Sequence, residues 1–301
     1  MNAIEIKHLT KGFKTKQALT GLDMTVPLGA IYGFIGENGS GKSTTEKILC
    51  GLLVPDGGAI KLFGQDYTAV DIRAKVGVLI EAPGCYENYS VWNNMMLQAA
   101  NLSIKQPKEE IARVLKLVRM EGAASNKYKN CSLGMKQRIG IAMALLGNPS
   151  LLILDEPVNG LDADGMRLMR QILVDISKEH CTILISSHLL GELEKIATHY
   201  GIVREGTMLC EMTAEELEAD CPTYVAVQAK EMAIAHALLQ RKYLKVKVEN
   251  QSIRVYDAVD AEEVVTYLYE QGVLVSEVKT DKISLEEYYI NLTNEQGGRK
   301  K

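Results

Sequence analysis

The 301-residue sequence has no uninterrupted apolar run near the roughly 20 residues that a membrane-crossing helix requires. Its opening, Met1-Asn2-Ala3-Ile4-Glu5-Ile6-Lys7, lacks the apolar centre of a secretory leader. The expectation is a cytosolic protein that reaches a membrane only through a partner. No C-x-x-C spacing links its six cysteines, Cys50, Cys85, Cys131, Cys181, Cys210 and Cys221, so reduced thiols are expected rather than disulfides or zinc. A basic excess is missing too: the net charge is −4, and no nucleic-acid partner is expected. What is present, 47 % hydrophobic and 24 % charged residues, fits a globular chain with one large domain and a smaller one.

Residues 36–44 read Gly36-Glu37-Asn38-Gly39-Ser40-Gly41-Lys42-Ser43-Thr44, a full G-x-x-x-x-G-K-S phosphate-binding loop. An apolar run, Ala30-Ile31-Tyr32-Gly33-Phe34-Ile35, precedes it, and the helix-forming stretch 43–49 follows. The glycines let backbone N–H groups turn toward a phosphate, and the helix N-terminus adds a favourable field for anions. Lys42 can reach the β- and γ-phosphates, and the Ser43 hydroxyl can ligate Mg²⁺. A glycine-rich turn without a nucleotide is the rival reading, and the flanking strand and helix weigh against it. A nucleoside triphosphate is the expected ligand.

Short β-like stretches at 3–9, 21–26 and 30–35 open the chain, and Pro55-Asp56-Gly57-Gly58 marks a turn before a strand at 59–62. Residues 76–80 read as a buried strand. Pro107, Glu109 and Glu110 begin a helix carried by Ile111, Val114, Leu115 and Val118, and a second helix spans about 135–146. Strands at 151–154 and 182–186 flank a helix over 164–178, the pattern of an α/β core with buried strands. Residues 223–279 follow a strand, helix, strand, strand, helix, strand order, which predicts a small ferredoxin-like α+β domain. The expected division is 1–88 and 148–215 as core, 89–147 as a helical subdomain and 216–301 as an accessory domain, with 294–301 loose.

Leu151-Leu152-Ile153-Leu154-Asp155-Glu156-Pro157 places two carboxylates at the end of a buried strand. Asp155 suits a metal, directly or through water, while the longer Glu156 suits polarisation of an attacking water. Standing alone, the pair could simply end a strand at the surface. Lys42 and Ser43 upstream complete the other half of one magnesium site. Cys131-Ser132-Leu133-Gly134-Met135-Lys136-Gln137-Arg138 precedes a long helix, and Ser132 taken alone is a helix cap.

With these motifs in order, the chain resembles the ATP-binding subunit of an ATP-binding-cassette (ABC) transporter, an α/β phosphate-loop ATPase core with a helical subdomain. Residues 131–135 stand where that family usually has Leu-Ser-Gly-Gly-Gln. The resemblance implies that Ser132 and Gly134 cap the γ-phosphate held by the loop of a second subunit, in a head-to-tail dimer that sandwiches ATP and Mg²⁺. It implies a transmembrane permease as the other partner, with this chain on the inner face of the membrane. Phe13 falls where an aromatic stacks on adenine, core packing being its rival. Asn159-Gly160-Leu161-Asp162 resembles the loop that communicates across the dimer, and Asp162 is counted with the nucleotide contacts. His188 resembles the histidine that contacts the γ-phosphate, whereas His8, His180, His199 and His236 have no such context.

Two departures matter. Glu81 stands where most members have glutamine, and could still reach the metal with a full negative charge and no amide donor. Cys131, Leu133 and Met135 replace Leu, Gly and Gln of the usual signature. Together they resemble the group that exports, or protects against, bacitracin and lantibiotic peptides. Another drug or solute is an alternative cargo. A soluble ABC ATPase without a permease is the competing class, but there is no room for long coiled coils and no second cassette. The accessory domain is read either as a regulator of dimer closure or as an inert appendage.

Overall fold

The computed structural model describes residues 1–249, 251–258 and 260–297. They form two compact units, Met1–Ala214 and the residues from Glu215 on.

In the first unit β1 (Asn2–Phe13) and β2 (Lys16–Pro27) make a long antiparallel hairpin. Leu22, Met24 and Val26 are buried while Asp23 and Thr25 face out, the period of a half-buried sheet. Both strands outrun the stretches read from sequence. The positive φ angles of His8 (50°) and Gly21 (108°) bend the ladder with register shifts instead of ending it. Next come β3 (Ile31–Ile35), α1 (Lys42–Leu49), β4 (Gly57–Leu62), β5 (Gln65–Asp66), α2 (Val70–Arg73) and β6 (Val76–Leu79). The first sheet has the order β2-β1-β4-β5.

Between β6 and the next strand lies a helical stretch of α3 (Val91–Asn101), α4 (Pro107–Leu117) and α5 (Leu133–Leu145). Ser90 caps α3 by accepting from the Asn93 amide at 3.1 Å, and Pro107 with Glu109 and Glu110 starts α4. Then follow β7 (Leu151–Asp155), α6 (Ala163–Lys178), β8 (Thr182–Ser186), α7 (Leu190–Leu193), β9 (His199–Arg204) and β10 (Thr207–Thr213). The second sheet runs β10-β9-β3-β8-β7-β6, parallel except for the edge strand β10. Every residue of β3 and β8 is buried, which is why these strands read as continuous runs rather than alternations.

A single carboxylate ties the two sheets. Glu211 Oε1 on β10 accepts from the Thr25 amide on β2 at 2.8 Å and from the Tyr32 hydroxyl on β3 at 2.6 Å. The turn after β9 adds stitches: Gly206 O accepts from Thr20 N at 3.0 Å, and Gly206 N donates to Ser40 O at 2.9 Å.

The second unit begins in α8 (Ala214–Asp220) and continues with β11 (Thr223–Ala229), α9 (Met232–Lys242), β12 (Val246–Glu249), β13 (Ser252–Val255), α10 (Ala261–Glu270), β14 (Val275–Lys282) and α11 (Leu285–Gly297). Its antiparallel sheet, β12-β13-β11-β14, packs Val225, Val227, Ile253 and Val255 against Leu239, Val264 and Leu268 of the helices. This is the βαββαβ arrangement of a ferredoxin-like fold.

Two strands here start later than the sequence reading has them. The amides of Leu244 and Lys245 bond the Asp257 carboxylate at 2.7 and 3.3 Å instead of a ladder. Val273 N closes the preceding helix on Leu268 O at 2.9 Å, after Gly272 at φ 79°. The tail expected to be loose from 294 is helical through Gly297, and 298–301 lie outside the described residues. The β9–β10 hairpin, α3 and α11 are further elements that the sequence reading does not include.

Candidate functional site

The loop 36–41 leaves the buried end of β3 and turns into α1. Gly39 and Gly41 have φ of 82° and 113°. A Cβ on Gly41 would lie 2.7 Å from Leu19 Cδ2 and 2.9 Å from Ala18 O, so only glycine fits this approach to β2. Thr45 Oγ1 donates to Gly41 O at 3.0 Å and anchors the first helical turn. Lys42 arches back over the loop, its Nζ donating to Gly36 O at 2.6 Å and Glu37 O at 3.2 Å. Burial lowers the Lys42 pKa, and the charges of Glu156, Glu46 and Asp155 oppose that shift.

A cleft of about 370 Å³ opens at this loop. Phe13 stands at one part of its wall, Lys16 and Lys42 supply cations, residues of the 38–44 loop line it, and Asp155 and Glu156 supply the acids. The second unit also has a cavity, of about 340 Å³, but Asp260, Glu262, Glu263 and Glu270 face only Lys242 there. Such a wall repels phosphate. The first cleft is the candidate.

Its acids are placed by the parallel sheet. Asp155 ends β7 beside Ser186 on β8, whose hydroxyl donates to Asp155 Oδ1 at 2.7 Å. Glu156 then takes the left-handed conformation, φ 51°, with its amide on Ser186 O at 3.1 Å. This turn directs its side chain to His188: Nδ1 lies 2.7 Å from Glu156 Oε2, and the His188 amide donates to the same oxygen at 3.4 Å. A carboxylate so held is pre-oriented to accept a proton from water.

Sequence reasoning misses one acid here. Glu46, on α1 one turn beyond Ser43, is 0 % exposed. Burial first, and the neighbouring Asp155 charge second, push its pKa from 4.5 to about 8, against the lowering influence of Ser186 and Lys42. A glutamate amid Thr45, Ile48 and Leu49 in the helix after the loop is the available signal.

The family model described as ABC transporter matches residues 19–159. The bacitracin transport ATP-binding protein BcrA of Bacillus licheniformis is 36 % identical over 296 residues, covering 96 % of this chain and 96 % of its own length. The chain belongs to the ABC transporter ATP-binding proteins. It is also similar to the lantibiotic transport ATP-binding protein SrtF of Streptococcus pyogenes, 39 % identical over 208 residues that cover 69 % of this chain and 90 % of SrtF. Among solved structures, cbiO1 of Clostridium perfringens, part of an ABC transporter complex, superposes with a TM-score of 0.66 at 25 % identity, covering 80 % of this chain and 95 % of that one.

In this ABC ATPase the sequence-predicted residues fall into three groups. Phe13, Asn38, Gly39, Gly41, Lys42, Ser43, Thr44, Asp155 and Glu156 line the one cleft, with Gly36 and Ser40 in its loop and His188 joined through Glu156. Phe13 is 45 % exposed, so core packing does not account for it. Ser132, Gly134 and Asp162 lie outside the cleft of their own chain. Ser132 caps α5, accepting from the Met135 amide at 3.3 Å, and is exposed; Asp162 caps α6, accepting from the Gly165 amide at 2.8 Å. The two loops touch, since a Cβ on Gly160 would lie 2.9 Å from Leu133 Cδ2. Glu81 forms the third group. At φ 64° it turns out to Lys47, 2.9 Å away, with its side chain 73 % exposed and outside the cleft. A metal contact by Glu81 therefore needs Lys47 to release it.

Proposed function

We propose that this ABC transporter ATPase powers export of, or self-protection against, bacitracin-like or lantibiotic peptides, working beneath a transmembrane permease on the inner face of the membrane. Support for the peptide class comes from the similarity to BcrA across both units of the chain and to SrtF over 69 % of it. No described helix is long and apolar enough to cross a membrane, which leaves the passage to the permease. A groove of about 450 Å³ beside β6, with Val78, Ile80, Pro83, Leu102 and Met143 in its wall, is the surface we assign to that partner.

The observation that carries the chemistry is the convergence of Lys42, Ser43, Asp155 and the Glu156–His188 pair on one cleft. Phe13 stacks on the base, and the loop amides with Lys42 grip the phosphates. Glu156 accepts the proton of the attacking water, and His188 fixes the oxygen that does so. Ser43 and Asp155 would hold magnesium, which would supply positive charge to neutralise the phosphate oxygens. Among the described residues no group of three His, Cys, Asp or Glu side chains can hold a metal ion alone. That donor set fits an ion bound by one carboxylate, a hydroxyl, phosphate oxygens and water.

The exposed cap Ser132 belongs, in this proposal, over the nucleotide of a second copy, so that two sites close at a head-to-tail interface. Residues 89–147 then act as the helical part that carries this cap, and 216–301 as an accessory domain. The test is ATPase activity of the permease complex with and without peptide, with Lys42→Ala as control. Crosslinking between position 132 of one copy and the loop at 42 of another should require ATP. Peptide-independent turnover would reject the cargo, and crosslinking that ignores ATP would reject the dimer.

A further inference from the structure

Glu46 has no place in the chemistry above, yet it occupies the costliest kind of position for an acid. It is 0 % exposed, and neither carboxyl oxygen has a hydrogen-bond partner among the described residues. The Ser186 hydroxyl lies near enough to influence it, but its one proton goes to Asp155 Oδ1 at 2.7 Å. Lys42 is turned to Gly36 O and Glu37 O instead. Buried polar groups left in this way are rare, because desolvation is uncompensated. On the same buried face of α1 Ile48 and Leu49 simply fill the core, so packing alone does not require a carboxyl at 46.

Position does supply a reason. Residues three apart on a helix share a face, so Glu46 lies one turn beneath Ser43. The charges that act on it are those of Asp155, Lys42 and Glu156, the walls of the nucleotide cleft. Magnesium dehydrates reluctantly and keeps several waters, each needing an acceptor for its protons. Asp155 has one oxygen already engaged by Ser186, whereas Glu46 offers two that are not. Among the described residues no three His, Cys, Asp or Glu side chains are placed to hold a metal ion together, which points to action through water rather than direct ligation. We propose that Glu46 is a positioning residue of the magnesium–nucleotide site, its carboxyl oxygens accepting hydrogen bonds from the metal's water shell. The inference rests on the magnesium reading of the cleft given above.

The test compares ADP binding in excess EDTA with binding in excess Mg²⁺, read by a fluorescent ADP analogue on the full chain, so that no turnover is involved. Wild type, Glu46→Gln and Glu46→Leu are measured. The ratio of the two Kd values should fall about tenfold in Glu46→Leu and less in Glu46→Gln, which keeps one acceptor oxygen. The Kd in EDTA should stay within about threefold of wild type. A ratio equal to wild type in both variants overturns the role of Glu46, as does an equal loss in both buffers, which marks structural damage. Where Glu46→Leu does not fold, the near-isosteric Glu46→Gln decides by the same ratio. If wild type itself binds ADP equally well in both buffers, the magnesium reading fails, a result distinct from either of the others.

Discussion

Replacing Glu46 with glutamine should stabilise the nucleotide-free, metal-free protein, and by more as the pH rises. In the folded chain burial, reinforced by Asp155, carries the pKa of this carboxyl from 4.5 to about 8. Between those values the folded state keeps a proton that the unfolded state has released. Stability therefore falls as pH rises through that window and levels off above it. At 1.36 kcal/mol per unit, the burden is about 1 kcal/mol near pH 5.5 and about 4 to 5 kcal/mol near pH 8.5. Glutamine cannot ionise, so the stability difference between variant and wild type should widen by about 3 kcal/mol across that range. The cost of burying a poorly bonded amide offsets part of the gain at both pH values and cancels in the comparison. Urea unfolding followed by Trp92, the only tryptophan and one that sits on α3 in the same unit, reads this directly. All other titrations are common to both proteins and drop out. A difference that stays constant within about 0.5 kcal/mol would refute the reasoning.

Three further outcomes are expected. Glu156→Gln should bind ATP within about threefold of wild type while turnover falls about 10²- to 10⁴-fold; wild-type turnover would remove Glu156 from its role. His188→Ala deletes the 2.7 Å anchor of Glu156 and should lower kcat by about 10- to 100-fold, with no added loss when combined with Glu156→Gln; additive losses would mean that the two act separately. Gly41→Ala forces a side chain into φ 113° and to within 2.9 Å of Ala18 O, so the urea midpoint should drop by the equivalent of about 2 kcal/mol or more, and an unchanged midpoint would show that the loop relaxes freely.

The parts legible in the sequence were those where backbone chemistry dictates residue type. The loop glycines, the apolar run of β3 and the acids closing β7 each satisfy a local rule, and the phosphate-loop and metal-acid motifs together point to the one cleft where they meet. The βαββαβ order of the second unit was legible for the same reason, with Gly272 separating helix from strand. What escaped depends on contacts distant in sequence. The start of β12 is delayed by Asp257, twelve residues beyond Lys245. The outward turn of Glu81 depends on Lys47, 34 residues earlier. Glu46 was passed over because helical periodicity does not say that this face lies against Asp155 and Ser186. The trans role proposed for Ser132 has only family resemblance behind it in the sequence; within one copy its hydroxyl does no more than cap α5.

The double acceptance by Glu211 fixes a length as well as a pair of sheets. Phe13 ends one hairpin strand and Lys42 follows β3, so ring and ammonium ride on different sheets that this carboxylate clamps together. The stitches from Gly206 to Thr20 and Ser40 tighten the same frame beside the loop. The cleft thus behaves as a caliper whose jaws are set in advance. On the nucleotide reading proposed above, a ligand would be gauged by its span from base to phosphate, and a bare triphosphate or a free nucleoside is expected to engage one jaw alone.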